Sequence, residues 1–327
     1  MQYLLRRIGF YLAALWAAVT LNFLLPRLMP GDPVLLLIAR LQGRLDPHAI
    51  DALRLQFGLG SQQSLFTQYV NYLDDLVHGN FGISINYYPT PVSEVIGTGL
   101  IWTLVLVGTS AIISFLLGTA LGALAAWRRG SWFDTVFSPL LTFFQAIPYF
   151  WLALLLLYIL GLDLKWFPLG FGYSIELEPA FNLNFILDAS YHAVLPAFTI
   201  VISSVAGWML GMRNAMLTTL AEDYVLMAQA KGLPERRVLV TYAARNAILP
   251  NITGFAISLG FVIGGALLTE IIFSYPGIGF ILLSAVQAED YPLMQAIFLL
   301  IALIVLIANF LADIFYVVLD PRVRQEG

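Results

Sequence analysis

Apolar residues along this chain fall into long blocks that are separated by shorter polar stretches. Six of these blocks are close to the roughly 20 residues that a helix needs to cross a bilayer. They are Ile8–Leu25, Leu100–Trp127, Val136–Leu160, Val194–Met212, Ile252–Ile272 and Leu293–Leu319. Because lipid offers no water to the backbone polar groups, such blocks are expected to be helical. The pattern therefore predicts an all-α membrane protein with six transmembrane helices.

The composition agrees with this pattern and argues against a soluble protein. Of the 327 residues, 60% are hydrophobic and 11% are charged, whereas soluble domains have about 45–50% apolar and about 25% charged residues. The net charge is -4, which gives no global basic field for nucleic acid. The chain has no cysteine, so we expect neither a disulfide nor thiol catalysis.

The first apolar block has two interpretations. Arg6 and Arg7 precede it, as basic residues precede the core of a cleaved signal peptide. Its apolar run is longer than the usual signal-peptide core, and no small-x-small cleavage site follows, because the next residues run from Pro26 to Pro30. We interpret the block as an uncleaved first transmembrane helix.

The basic residues predict the orientation in the membrane. With the N-terminus in the cytosol, eleven of the 16 Lys and Arg residues fall on the cytosolic side and five fall outside. The positive-inside rule then places both termini in the cytosol. The predicted organisation is a first transmembrane helix (residues 1–29), an extracellular helical insertion (residues 30–97) and a five-helix core (residues 98–327).

Two short amphipathic helices are predicted in the insertion. One begins at Asp46-Pro47, where Asp is a favourable N-cap and Pro a favourable first helical residue. The other runs from Leu65 to His78 and carries its apolar residues on one face. A second outer loop is predicted at residues 161–191.

A polar and basic stretch, residues 222–250, separates the fourth and fifth blocks on the cytosolic side. A short helix is predicted from Leu220 to Lys231, ended by Gly232 and Pro234. Its predicted apolar face consists of Leu220, Tyr224, Met227 and Ala228. A short helix that projects into the cytosol suits a groove on a partner protein. A surface helix that binds lipid headgroups is the alternative.

A second helix is predicted to follow this short one. It runs from about Glu235 to Ala247 and leads into the fifth apolar block at Pro250. Small residues predict a further contact inside the core, because Gly118, Gly122 and Ala126 recur every four residues in the second block.

No residue pattern for catalysis or for ATP binding is present. A phosphate-binding loop needs Gly immediately before its Lys, but neither of the two lysines, Lys165 and Lys231, follows a glycine. The histidines His48, His78 and His192 are far apart and do not predict a metal site. We therefore expect a non-catalytic chain that holds neither a cofactor nor a metal.

Uncharged polar residues inside the predicted helices are candidates for lining a transport path. The candidates are Gln145, Ser203, Ser204 and Asn309. Hydrogen bonds that only pack helices together are the alternative for each. Pro148 in the third block indicates either a packing kink or a flexing helix that lines the path. The carboxylates of Glu270 and Asp313 are placed near opposite membrane boundaries, and the lack of midplane carboxylates argues against a proton-coupled secondary transporter.

Three motifs in residues 222–250 resemble the EAA loop of bacterial ABC importer permeases. They are Asp223-Tyr224-Val225, Ala228-x-Ala230-Lys231-Gly232-Leu233 and Arg245-Asn246-Ala247-x-Leu249-Pro250. Similar motifs, such as Gly79-Asn80-Phe81-Gly82-x-Ser84 and Asp320-Pro321-Arg322, extend the resemblance over nearly the whole chain. The set is similar to the first-permease member of the dipeptide/oligopeptide/nickel branch.

This resemblance implies the transmembrane domain of a type I ABC importer in the bacterial inner membrane. It implies a homologous second permease, two ABC ATPase subunits that bind ATP and magnesium, and an extracellular or periplasmic substrate-binding protein as partners. The residues implied in ATPase coupling are Glu222, Asp223, Tyr224, Met227, Ala228, Ala230, Lys231 and Gly232. Those implied in supporting the loop are Arg245, Asn246 and Pro250.

The resemblance leaves the substrate open. Peptides are expected first, with β-linked oligosaccharides and nickel chelates as alternatives that use the same mechanism. From other classes, a secondary transporter and a membrane-anchored receptor or scaffold remain as hypotheses.

Overall fold

The computed structural model describes residues 2–28, 64–260, 262 and 266–319. Within them the chain is helical apart from connecting segments and an antiparallel bridge between Ile83 and Pro91. The predicted helix at Asp46-Pro47 and the motif Asp320-Pro321-Arg322 lie outside the described residues. The all-α class predicted from the sequence is confirmed for the described part of the chain.

The helices are labelled in chain order. They are α1 (Gln2–Leu28), α2 (Leu65–Val77), α3 (Val92–Trp127), α4 (Ser138–Ala146), α5 (Tyr149–Leu156), α6 (Leu183–Leu220), α7 (Asp223–Ala230), α8 (Glu235–Arg237), α9 (Arg245–Ala247), α10 (Leu249–Leu259), α11 (Leu267–Ile272), α12 (Ile278–Gln287) and α13 (Tyr291–Leu319). Three π-helical segments adjoin them, at Phe133–Phe137, Leu157–Asp163 and Val238–Ala244.

Four helices in the described part are long and apolar enough to cross a membrane, and five if one bent pair counts as a single span. The four are α1, α3, α6 and α13. The bent pair is α4 and α5 with their π-helical segments, and it turns by 97°. Pro148 causes the turn, because it has no N–H to continue the helix and favours extended backbone at Ile147, whose ψ is 127°.

Two predicted spans begin earlier than the apolar pattern indicated. α3 begins at Val92, where the Pro91 carbonyl accepts the N–H groups of Glu94 and Val95. α6 begins at Leu183, because the side chain of Asn182 caps it by accepting the N–H of Phe185 at 2.8 Å. The predicted outer loop at residues 161–191 is correspondingly shorter. The side-chain cap at Asn182 lets α6 include polar residues that precede its apolar block.

The fifth predicted span is wrong as one continuous helix. α10 ends at Leu259, and α11 does not begin until Leu267. Gly260 and Ala266 between them are not helical, and the Ala266 backbone has φ −121° and ψ 13°. Among the described residues, the predicted Ile252–Ile272 span is helical in α10, at Val262 and in α11, and it is interrupted at Gly260 and Ala266.

Contacts divide the chain into two compact units, Met1–Trp102 with Pro276–Gly327, and Thr103–Tyr275. In the first unit α1 packs along α13, and the side chains of Asn22 and Gln295 each donate to the other residue's carbonyl. α2 packs on α1 through Tyr69 and Tyr72, whose rings contact Phe23. The predicted helix at Leu65 is thereby confirmed as a half-buried amphipathic helix, while the three-part division of the chain stays a prediction.

A buried carboxylate organises the other end of the first unit. Asp290 is fully buried, accepts the Ser84 hydroxyl and the Asn86 N–H (2.9 Å), and caps α13 through the Leu293 N–H (3.2 Å). The serine of the Gly79–Ser84 motif therefore holds the chain between α2 and α3 onto the start of α13. Nothing in the sequence pattern linked these two distant segments.

In the second unit α3 and α6 approach each other backbone to backbone. A Cβ on Gly118 would lie 2.5 Å from the Val205 carbonyl oxygen, and one on Gly122 would lie 2.3 Å from that of Met209. Only glycine allows this approach, so the close contact predicted from the small-residue spacing is confirmed. Leu141 of α4 packs on the same surface of α6.

Candidate functional site

The polar stretch at residues 222–250 begins with a turn that detaches α7 from α6. α6 ends at Leu220, and α7 begins at Asp223 after an extended Glu222 whose carbonyl accepts the N–H groups of Val225 and Leu226. The short helix predicted from Leu220 to Lys231 is therefore found as α7, which is shorter at both ends, and Leu220 belongs to α6.

Gly232 ends α7 in the way that the sequence predicted. Its backbone has φ +69°, its N–H donates to the Gln229 carbonyl at 2.9 Å, and the Leu233 N–H donates to the Ala228 carbonyl at 3.4 Å. These two bonds form a Schellman motif, which favours glycine at the left-handed position. Leu233 also packs near Ala228, as the motif usually requires.

The buried face of α7 is not the predicted one. Val225 and Ala228 are buried against Val238 of the following π-helical segment. Tyr224 and Met227, by contrast, are exposed by 39% and 58%. The predicted apolar face therefore divides, because α7 packs back onto Val238 through Ala228 and Val225 and leaves Tyr224 and Met227 exposed. The other exposed side chains of the segment include Glu222, Asp223, Leu226, Ala230 and Lys231.

The second predicted helix supports α7 from beneath. α8, the π-helical segment and α9 follow one another from Glu235 to Ala247, as predicted. The Asn246 amide of α9 donates to the Tyr224 hydroxyl of α7 at 2.8 Å, so this bond joins the two helices. Arg245 and Pro250 are exposed.

A core of small and flexible residues connects this segment to the long helices. Its buried members are Ala126 of α3, Met212 and Met216 of α6, and Ala243 and Ala247. Because packed interiors are dense, a displacement of the segment would press directly on α3 and α6.

An ion pair near this core escaped sequence reasoning. Arg213 of α6 binds Asp134 through Nε at 2.7 Å and Nη2 at 3.0 Å, and Asp134 also accepts the Gly130 N–H at 3.2 Å. Bidentate pairs of this kind fix geometry as well as charge. Sequence reasoning had counted Arg213 only as a cytosolic positive charge, because no spacing rule relates residues this far apart.

Three of the four path candidates lie on one cavity. A volume of about 360 Å³ opens at the break between α4 and α5, and Gln145, Ser203 and Ser204 line it together with Tyr149 and Thr269. Asn309 lies on α13 and is not among the lining residues.

A second cavity of about 410 Å³ shares Ser204 with the first. It continues along α6 past Gly207 and Gly211 to Asn251, whose amide donates to the Trp208 carbonyl at 2.9 Å. Polar and small residues of α6 thus border both cavities. The kink at Pro148 forms part of the first cavity wall, which favours the path-lining interpretation of that proline.

Glu270 was predicted to lie near a membrane boundary, but its side chain is shielded from solvent within the fold. It is fully buried, and its Oε1 accepts the Thr103 hydroxyl at 2.7 Å. Burial, together with the nearby charge of Glu270, raises the pKa of the Tyr275 hydroxyl. The Gly170 backbone, in the loop that the sequence predicted to lie outside, packs against the Phe273 carbonyl. Among the described residues no group of three or more His, Asp or Glu side chains could hold a metal ion.

Known proteins match this chain over most of its length. The family model described as binding-protein-dependent transport system inner membrane component matches residues 118–325. The oligopeptide transport system permease protein AppB of Bacillus subtilis is 36% identical, over 98% of this chain and 99% of the relative. The di/tripeptide transport system permease protein DppB of Pseudomonas aeruginosa is 36% identical, over 100% of this chain and 99% of the relative. The dipeptide transport system permease protein DppB of Escherichia coli is 33% identical, over 100% of this chain and 99% of the relative.

Proposed function

This chain belongs to the family of binding-protein-dependent transport system inner membrane components, and from that premise we propose that it is the transmembrane permease subunit of an ATP-driven importer of peptides. It is a multi-pass protein of the bacterial inner membrane. In this proposal the chain forms the substrate path, and separate ATPase subunits carry out ATP hydrolysis.

The observation that carries the proposal is the build of α7. Tyr224 and Met227 of α7 are exposed, while Val225 and Ala228 pack against Val238 of the same chain. A helix with this division docks by its free face and transmits force by its seated face. Docking into a groove of an ABC ATPase is the role that this helix fits.

The residues of the segment divide accordingly. The docking set is Glu222, Asp223, Tyr224, Met227, Ala230 and Lys231, whereas Ala228 and Gly232 act by seating and ending the helix. Asn246 supports the docking face through its bond to Tyr224. Each ATPase subunit would bind ATP and Mg²⁺, and a second permease subunit would take the second ATPase.

Six transmembrane spans with both termini in the cytosol are part of the proposal. The bent α4–α5 pair makes a fifth span beside the four long helices. α10 and α11 together would make the sixth, as the two halves of a broken helix that lines a cavity. The insertion at residues 30–97 would then lie outside, where a substrate-binding protein can land.

The peptide substrate is proposed from the names of the relatives, which are peptide permeases of three bacteria. Oligosaccharides and nickel chelates remain the competing substrates for the same mechanism. Selectivity would be shared with the binding protein, which is a separate chain.

The test is the ATPase activity of the complex that co-purifies with this chain, reconstituted in lipid. Its cognate binding protein is titrated with tripeptides, with β-linked oligosaccharides and with a nickel chelate. Stimulation by tripeptides alone is the expected result. Stimulation by another class would replace the substrate, and uptake driven by an ion gradient without any co-purifying ATPase would overturn the importer.

A further inference from the structure

The cavity at the break between α4 and α5 has the size of a ligand site. Its volume of about 360 Å³ falls at the lower end of the 300–1,000 Å³ that ligand pockets typically occupy. None of the described residues that line it is charged. It therefore suits a small, uncharged, polar group.

The break exposes backbone hydrogen-bonding groups at the cavity wall. Among the described residues, the carbonyl groups of Gln145 and Ala146 and the N–H groups of Tyr149 and Phe150 form no backbone–backbone hydrogen bond. All of these residues except Phe150 line the cavity. An uninterrupted helix would have paired these groups with each other. The residues of the wall thus include two with an unpaired backbone acceptor, Gln145 and Ala146, and one with an unpaired backbone donor, Tyr149.

A buried hydroxyl among the lining residues also has no hydrogen-bond partner. Thr269 of α11 is fully buried, lines the cavity, and its Oγ1 has no hydrogen-bond partner. Buried polar groups are almost always paired, so a free one indicates a partner that is absent from the chain. The Gln145 side chain, exposed at the same cavity, adds both a donor and an acceptor.

This mixture of donors and acceptors matches a peptide group. Each peptide unit carries one N–H and one C=O and no charge.

We propose that this cavity binds one peptide unit of the transported chain through its backbone, and that Thr269 and Gln145 make the contact. Recognition of the backbone would let substrates with different side chains pass the same point. The inference rests on the proposed function and names the part of the substrate that the path reads.

The experiment uses the whole complex in proteoliposomes, with its binding protein and two probes. The probes are trialanine and trialanine that is N-methylated at the amide between its first and second residues, which removes one backbone donor. The ratio of their uptake rates is measured for the wild type, Thr269→Val and Gln145→Leu. Thr142→Val is the matched control, because Thr142 lies on α4, is exposed, and bonds only to the Ser138 carbonyl.

The binding protein is identical in all samples, so a change in the ratio between variants reports on this chain. We expect the wild-type preference for trialanine to fall about fivefold in Thr269→Val and Gln145→Leu, as the loss of one hydrogen bond would give, and to stay unchanged in Thr142→Val. An unchanged ratio in both cavity variants overturns the peptide-unit site while trialanine uptake upholds the importer. If the wild-type complex hydrolyses ATP but imports neither probe, the peptide importer itself fails. Should Thr269→Val not assemble, the exposed Gln145 position decides the question.

Discussion

Helix α7, the proposed coupling helix, has its terminal backbone groups paired, whereas the cavity at the α4–α5 break has unpaired ones. At the end of α7 the last carbonyl groups are paired, because the Gly232 and Leu233 N–H groups donate to them. The break leaves the corresponding groups unpaired, together with the Thr269 hydroxyl. Both are interruptions of helix, and a turn-forming residue, glycine or proline, causes each.

The difference indicates what each region is built to do. A closed helix end with a seated buried face keeps its shape and can transmit a displacement. An open break keeps hydrogen-bonding capacity for something that passes. Changes at α7 should therefore affect coupling, while changes at the cavity should affect only the passage of substrate.

The largest effect is expected from breaking the closed end of α7 with Gly232→Pro. Proline cannot adopt φ +69° and has no N–H for the Gln229 carbonyl. We expect substrate-stimulated ATP hydrolysis and uptake to fall by about 100-fold or more, since such a backbone conflict costs about 3 kcal/mol. The measurement is stimulated ATPase activity in proteoliposomes.

Glu235→Pro is the matched control for this change. Glu235 is the first residue of α8, and Pro234 before it already has φ −57° and ψ 137°, which a following proline favours. We expect it to retain activity. Equal activity in both variants would show that the end of α7 is unimportant for coupling.

A smaller effect, confined to uptake, is expected from filling the cavity. Ser204 borders both cavities, so Ser204→Phe should narrow the path while α7 stays intact. We expect uptake to fall about tenfold, with unchanged co-purification of the ATPase subunits. Val194→Phe, an exposed position on the same helix away from both cavities, serves as the control. If Ser204→Phe, but not Val194→Phe, lost the ATPase subunits, the cavity and α7 would not have separate roles.

The smallest effect is expected from removing the hydrogen bond between Asn246 and Tyr224 in the segment at residues 222–250. Asn246→Ala and Tyr224→Phe each remove the 2.8 Å bond between the two helices. Each should lower stimulated ATPase activity about threefold, as expected for an exposed neutral hydrogen bond. The double variant should be no worse than either single one, because both remove the same interaction. Fully additive losses would mean that the bond does not connect the two helices.

The helices in the segment at residues 222–250 could be predicted from the sequence, because the residues that begin and end them lie within the segment. Gly232 ends α7, and the helix after Glu235 follows, as their spacing indicated. The orientation of α7 was missed, since either of its faces could have packed inward. The side that did so carries Val225 and Ala228, which pack against Val238 only after the chain has turned back.

The cavity and the buried carboxylates lay beyond sequence reasoning for a different reason. Thr269 and Ser204 meet at one cavity although they belong to separate helices. Likewise Asp134 finds Arg213, and Glu270 finds Thr103, across long stretches of chain. No local rule selects such partners, because their pairing depends on how the helices pack.

The sequence by itself determined the membrane class, the all-helical fold, the glycine contact between α3 and α6 and the exposed segment at residues 222–250. Each of these follows from periodicity, helix-ending residues or small-residue spacing within one stretch of chain. Only the tertiary structure decided which face of α7 is seated, where the predicted spans break, and which polar groups remain unpaired at the α4–α5 break. The physical reason is that burial and hydrogen-bond satisfaction are properties of contacts between distant segments, and these exist only once the helices have packed.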